Sequence, residues 1–577
     1  MVGPPVPSFL TVLFAVLVLG GIIVIASWSR NWTTYPSRAA TFLSGPWSPV
    51  VAGIVTMLLV RIVWGSFHEP GIVHDERAYL LQAEIFASGR WTAPSPPIAA
   101  FFEQMHVFIE PAVFAKYPPA HALTLVPGIW LGLPGLMPAL MTAIAGALVF
   151  WLARRLANEW TALITWWLWT TAWATLMWST SYFSETTSTA MWLIAAWATI
   201  RWLDSSKSAN LLCVAAALGW GFETRPLTMA ALALPLAFVI LRRVMATRAW
   251  KPLAAPVVLV AAILALGPLW NQQTLGDWRL DPYPRYSRVY FPFDKPGFGA
   301  DLAPPLRPLV PEIAAVGESF RGLHAGYVLA SLPSAFAERL IAILVWCADG
   351  WRLALGVLIL AAALHATGVE RAGIVTIALL LLAYLTFAHP PGWMVYYVEV
   401  LPIFYFLAAR ELGRVVHKFS GLGSQASVGW PASAANGSLA VALLLLPLGV
   451  NDVLRVHAAI DLRNAFHRAA DAAMARLPPK KAIVFVSYPT SHSPHFALTR
   501  NEPDLASAVR WVVYDRGPRN AELRALAPGR AAYRLDVASM RVERLPSCPA
   551  YFRTPRMPFS DVSWRMRRPV IAAPEFV

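Results

Sequence analysis

The chain has 577 residues, of which 57% are hydrophobic and only 14% are Asp, Glu, Lys or Arg, whereas a soluble domain runs near 45–50% apolar and about 25% charged. The apolar residues gather in long runs that mark membrane spans, which excludes a soluble enzyme, a disordered chain and a fibrous repeat. The formal charge of +15 would suggest nucleic acid in a soluble protein; a membrane chain holds Lys and Arg on cytoplasmic loops instead, so no nucleic-acid partner is expected.

A bilayer core of ~30 Å needs roughly 17–25 apolar residues per helix. Runs of that kind lie near 9–28, 47–66, 134–153, 161–180, 186–203, 227–243, 253–270, 348–366, 372–389, 395–411 and 437–454, with a shorter one at 209–223. About twelve spans are therefore expected in an α-helical polytopic domain over 1–454. Arg30 and Arg38, Arg154 and Arg155, Arg242, Arg243, Arg248 and Lys251, and Arg410, Arg414 and Lys418 follow alternate spans. All face the cytoplasm if the N-terminus lies outside. Loops 67–120 and 271–346 and everything from 455 then lie outside. Cys213, Cys347 and Cys548 show no CxxC spacing, which supports neither a zinc site nor a disulfide framework.

The first outer loop reads HDERAYLLQAEIFASGRW. As a helix beginning near Asp75 it sets Asp75, Tyr79, Gln82 and Phe86 on one face, and Gly89 ends it. Asp75 and Glu76 stand where a helix dipole favours carboxylates, so capping explains them as well as chemistry does. Lys116-Tyr117-Pro118-Pro119 closes the loop before an apolar helix; Pro suits a helix start, and Lys and Tyr suit an interface. Further ionisable residues cluster at outer span ends: Glu185, and Glu223 with Arg225. Charges at membrane depth face a cavity or one another, so an internal Glu223–Arg225 pair and ligand contact both fit.

The second outer loop interleaves Arg279, Arg285 and Arg288 with Tyr283, Tyr286 and Tyr290. Arg grips phosphate and aromatic rings stack on sugar or prenyl groups; an interfacial aromatic belt with snorkelling Arg fits equally. Tyr396 and Tyr397 follow His389 at the outer face. Beyond 454 the charges become dense, and +10 of the formal charge lies there. KKAIVFVSY, RWVVYD and AAYRLDV read as strands of a small extramembrane α/β domain, 455–577. No Walker A, GxSxG or HExxH motif occurs.

Over roughly 47–415 the chain resembles the GT-C membrane glycosyltransferases, nearest the family 39 group of protein O-mannosyltransferase-like and aminoarabinose-transferase-like enzymes. The resemblance rests on Asp75-Glu76-x-x-Tyr79, Gly89-Arg90 and Tyr117-Pro118-Pro119, with Arg154-Arg155-Leu156, Ser184-Glu185 and Tyr396-Tyr397…Leu401-Pro402. Ala120 stands where many members have Gly, and the first span is an addition. The resemblance implies an inverting transfer of a sugar from a polyprenyl-phosphate donor to an extracytoplasmic lipid, glycan or protein acceptor, in a bacterial cytoplasmic (inner) membrane. It puts the general base on Asp75, makes Lys116 and Arg225 candidates for the leaving phosphate, and lets Glu76 and Glu185 orient base or acceptor. Tyr79, Gln82, Tyr117, Arg285, Tyr396 and Tyr397 complete the expected binding set. No cofactor or metal is implied. The competing readings are a lipid or solute transporter, against which no related halves are visible, and a polyprenyl-lipid-binding relative without catalysis.

Overall fold

The computed structural model describes residues 9–28, 37–420, 432–490 and 492–546; Arg30, Cys548 and the last part of the expected tail domain lie outside them. Among the described residues, five helices are long and apolar enough to cross a membrane: Leu136–Leu156, Pro226–Thr247, Lys251–Leu275, Leu329–Cys347 and Ala435–Ala475. Two bent pairs, Arg38–Ser44 with Ser48–Trp64 and Gly350–Leu364 with Gly368–Tyr384, raise the number to seven. The gap from twelve has local causes. The expected span 161–180 divides into Glu159–Thr170 and Trp173–Ser179. At that break Thr171 donates to the Trp167 carbonyl at 2.7 Å and accepts from Arg352 at 2.7 Å. Glu185–Ser205 has the length but carries Glu185, Arg201 and Asp204. The span expected at 395–411 opens as two 3-10 turns and becomes helical only at Leu401.

Small residues draw the bundle together, as association in lipid requires. A Cβ on Gly146 would stand 2.4 Å from Thr56 Oγ1, so the helices Ser48–Trp64 and Leu136–Leu156 meet backbone to side chain. Thr56 also accepts from Trp166 Nε1 at 2.9 Å, and Thr170 lies at 3.1 Å.

The first outer loop folds as the helix His74–Ala87, then three short strands. β1 (Ala93–Pro94) and β2 (Val107–Phe108) flank β3 (Ala112–Ala115) in antiparallel pairs. Gly89 sits at φ +74°, where a side chain would be strained. The helix Pro119–Trp130 follows, with proline at its first position.

The long helix Ala432–Ala475 runs unbroken through 454–455, so no linker separates membrane domain from tail. Its C-terminal half lies against the bundle: Arg463 donates to the Thr180 carbonyl at 2.8 Å and Asn464 to Glu69 at 3.0 Å. Beyond it β4 (Ala482–Ser487), β5 (Arg510–Tyr514), β6 (Ala531–Asp536) and β7 (Arg541–Arg544) form a sheet in the order β5-β4-β6-β7. β4 is parallel to β5 and β6, and β7 is antiparallel to β6. One face covers Ala470 and Met474 of the long helix; the other receives Phe101 and Phe102 of the first outer loop. Arg516 donates to the Ala100 carbonyl at 3.1 Å and pairs with Glu312 at 2.8 Å.

Burial, with the Glu502 carboxylate beside it, pushes Glu84 of the His74–Ala87 helix up to about 7. The folded state therefore holds this proton more tightly than the unfolded chain. Its contribution to stability is fully present below the ordinary glutamate range and is lost as pH rises through 7. Glu84→Gln is expected to leave the melting temperature unchanged at pH 4 and raise it by about 2–4 °C at pH 8. Equal shifts at both values in thermal unfolding would contradict this.

Candidate active site

Adjacent residues of a helix point about 100° apart, and that separates the two acidic residues of the first outer loop. Glu76 is buried, and its Oε2 accepts the Ile72 N–H at 2.9 Å. Burial raises its pKa against the opposing pull of Arg463. Glu76 thus ties the helix to the residues just before it and turns away from the Asp75 carboxylate. Asp75 keeps its side chain 38% exposed. Tyr117 Oη donates to its Oδ1, and His106 Nε2 lies 3.7 Å from the same oxygen.

Tyr79 shares the Asp75 face, as its spacing predicts. Its ring stacks on Tyr117 at 4.5 Å, and its hydroxyl donates to Ser184 at 3.2 Å. Gln82 shares that face too, but both ends are occupied: Oε1 accepts the Ala115 N–H at 2.9 Å, and Nε2 donates to the Trp91 carbonyl at 3.0 Å. Gln82 fixes β3 to the helix through one bond at each end of its amide.

Lys116 is buried in a cage of rings: its Nζ stands 4.2 Å from the centre of Tyr283, 5.1 Å from Tyr286 and 5.4 Å from Tyr117. Asp294 Oδ2 lies 3.8 Å away. Burial lowers the pKa of Lys116, while Asp294 and Asp75 oppose that shift. The Lys116 N–H donates to the His106 carbonyl at 2.9 Å, and the His106 N–H donates to Tyr286 Oη at 2.8 Å. His106 adopts φ +68°, a strained conformation for a non-glycine residue; these two bonds hold it there.

The helix Pro282–Tyr290 resolves the interleaved Arg and Tyr pattern. Tyr283, Tyr286 and Tyr290 fall at i, i+3 and i+7 and turn inward, whereas Arg285 and Arg288 are exposed. Arg285 has no ion pair among the described residues and lies off the face that cages Lys116. Tyr286 and Tyr290 stack at 4.3 Å. Behind them opens a groove of about 520 Å³ lined by Tyr290, Phe291, Phe293, Arg307 and Arg321; none of the expected site residues lines it.

Arg225 does not pair with Glu223. It bonds Glu185 through NH1, lies 3.3 Å from Glu399 through Nε, and donates to the Val395 carbonyl at 2.8 Å and to Tyr384 at 3.3 Å. Both carboxylates are fully buried. Two anions and a carbonyl therefore occupy the guanidinium, and a phosphate would have to displace them. Arg225 also reaches Ser184, the acceptor of the Tyr79 hydrogen bond, at 3.2 Å; the cluster thus supports the site from behind. Tyr397 is buried against His389, its Oη 2.9 Å from Nε2, and belongs to the packing. Tyr396 is half-buried, stacks near Tyr384 at 4.7 Å, and stands within electrostatic reach of Asp294 and Asp75.

The structure therefore gathers Asp75, Tyr79, Lys116, Tyr117 and, at the margin, Tyr396. It places Glu76, Gln82, Glu185, Arg225 and Tyr397 in supporting roles, and Arg285 at the surface. His106, Asp294 and Glu399 are additions that no spacing signalled. Among the described residues no group of three or more His, Cys, Asp or Glu is arranged to hold a metal ion.

Residues 135–270 match the model of a family described as dolichyl-phosphate-mannose-protein mannosyltransferase. No curated protein matches the sequence. Among solved structures, ArnT from Cupriavidus metallidurans in the apo state is 16% identical, with 84% of this chain and 92% of that one covered and a TM-score of 0.47. The same protein bound to undecaprenyl phosphate is 15% identical, with 89% and 100% covered and a TM-score of 0.47. The oligosaccharyltransferase AglB from Archaeoglobus fulgidus, in complex with an inhibitory peptide and a dolichol-phosphate, is 12% identical, with 76% and 62% covered and a TM-score of 0.33. Over residues 135–270 the family match agrees with the resemblance read from the sequence, without singling out family 39.

Proposed function

We propose that this protein transfers a sugar from a polyprenyl-phosphate donor to a hydroxyl-bearing acceptor outside the cytoplasm, with inversion at the anomeric carbon. The observation that carries the reading is a partly exposed carboxylate, Asp75, held by Tyr117 and His106, with Tyr117 also forming part of the ring cage around the cation Lys116. Asp75 takes the acceptor proton as the new glycosidic bond forms. The bond from the anomeric carbon to phosphate breaks, and its electron pair leaves on the lipid phosphate, whose charge Lys116 compensates. A cation buried among rings attracts phosphate more strongly than one in water, because Coulomb attraction rises as the dielectric falls. Tyr283 and Tyr396 offer faces for the sugar. The description of the matched family, which names a dolichyl-phosphate sugar, supports the donor class.

The test is purified protein given either a sugar nucleotide or the matching polyprenyl-phosphate sugar, with a cell-envelope extract as acceptor. Transfer is expected from the lipid-linked donor only, and Lys116→Met is expected to raise its apparent KM roughly 10–100-fold. Transfer from the sugar nucleotide, with the lipid-linked donor inert, would overturn the reading.

We infer further that the outer loops and the tail face away from the cytoplasm of a bacterial inner membrane, from the alternation of basic loops. Single cysteines at Leu302 and Ser507, both exposed, in a Cys548→Ser background, are expected to react with an impermeant thiol reagent on spheroplasts. Labelling only after lysis would reverse the orientation.

A further inference from the structure

The tail sheet is joined to the membrane domain by more than packing, because one of its turns sets a histidine ring beside His74, the residue before the candidate base. The 3-10 turn Pro494–Phe496 lies against the helix Pro311–Gly326, and the ring of His495 stands 5.7 Å from Phe320 and 5.8 Å from His74. His74 directly precedes Asp75 in the chain, so the His495 ring stands beside the residue next to the candidate base. His106, 3.7 Å from Asp75, completes a group of three imidazoles on three segments remote in sequence.

Two of the rings have unmet hydrogen-bonding capacity in the interior: His74 Nε2 and His106 Nδ1 are buried and have no partner among the described residues. The His495 ring is half-buried and makes no hydrogen bond there. A buried polar nitrogen left unpaired is costly, and a native site that keeps several of them has a ligand to satisfy them. Burial lowers the pKa of each of the three, so they are uncharged hydrogen-bonding groups near neutral pH. Neutral imidazoles beside a carboxylate, with the flat face of Phe320 adjoining, suit a hydroxyl-rich ring with apolar C–H faces better than an anion. The nearby cations are engaged: Arg77 by the Gly71 and Thr499 carbonyls and His467, and Arg463 by the Thr180 carbonyl.

We propose that His495, carried on the tail, is an acceptor-binding residue that acts with His74 and His106 to hold a hydroxyl-bearing sugar ring against Asp75. The tail then selects the acceptor, while Lys116 and its tyrosine cage serve the donor. The inference rests on the sugar-transfer reading, and a reaction that needs no acceptor separates the two. A donor poised beside Asp75 is hydrolysed slowly by water, and that hydrolysis does not involve His495.

The experiment uses full-length protein, a radiolabelled polyprenyl-phosphate mannose, and cell-envelope extract titrated as the acceptor. His495→Phe keeps the ring packing and removes both nitrogens; His495→Gln restores a neutral donor and acceptor. The phenylalanine variant is expected to raise the apparent acceptor KM about tenfold, leaving donor KM and water hydrolysis within about twofold of wild type. The glutamine variant is expected to recover most of the loss. Wild-type acceptor KM in His495→Phe, or equal falls in hydrolysis and transfer, would overturn the proposal. Wild-type protein that neither hydrolyses nor transfers from the lipid-linked donor would overturn the parent reading, and the proposal with it.

Discussion

Asp75→Asn is expected to lower sugar transfer by roughly 10²–10⁴, the usual worth of a positioned general base. The substitution is nearly isosteric, and the asparagine Oδ1 still accepts from Tyr117 Oη, so packing around the site survives. What disappears is the ability to take a proton from the acceptor hydroxyl. Donor affinity should change little, because Lys116 has Asp294 as a second counter-charge at 3.8 Å. A fall in kcat with a steady donor KM is therefore the signature sought in initial-rate measurements. Near-wild-type turnover from a folded Asp75→Asn protein would remove Asp75 from the base role.

Arg225→Met is expected to destabilise the fold by about 3–5 kcal/mol, the cost of breaking a buried ion pair from one side. Glu185 and Glu399 would be left fully buried with no cation between them. Arg225→Lys should recover only part of the loss, because a point ammonium cannot reach both carboxylates, the Val395 carbonyl and Tyr384 as the guanidinium fork does. Replacing all three charges, with Glu185→Gln and Glu399→Gln added, should recover more than the lysine does. Thermal unfolding in detergent is the measurement. A wild-type melting temperature for Arg225→Met would mean that the three charges do not depend on one another.

Local patterns in the sequence carried far, and their limits are physical. Helical spacing put Tyr79 and Gln82 on the Asp75 face, but only the fold shows that β3 occupies Gln82. For Arg225 the sequence leaves a pair with its near neighbour Glu223 and contact with a ligand equally open; its partners Glu185 and Glu399 come from a remote helix and a 3-10 turn, and no spacing rule links residues so far apart. The charge of Arg285 makes it a candidate, whereas the helical register of residues 283–290 turns the tyrosines inward and leaves the arginines outside. His106, Asp294 and His495 are isolated polar residues in aperiodic stretches. Each gains its significance from what tertiary structure brings beside it. The strand stretches of the tail are readable because β-branched and aromatic residues bounded by polar turns signal strands locally; apolar content falls at 454–455 while the helix continues, so composition does not mark that helix's end.

The contacts between the two ends of the chain also set a timetable for synthesis. Arg77 donates to the Thr499 carbonyl across 422 residues at 3.3 Å, and to His467 Nδ1 at 3.0 Å. Glu69 waits for Asn464 and Arg468. At 5–20 residues per second a ribosome needs roughly 20–80 s to cover that interval. Throughout it, the first outer loop has emerged with the charges of Glu69 and Arg77 still lacking these partners. The helix Ala432–Ala475 is the late strut that satisfies them, and the turn bearing His495 follows it. Asp75 is thus made well before the residues that complete the neighbourhood in which it works.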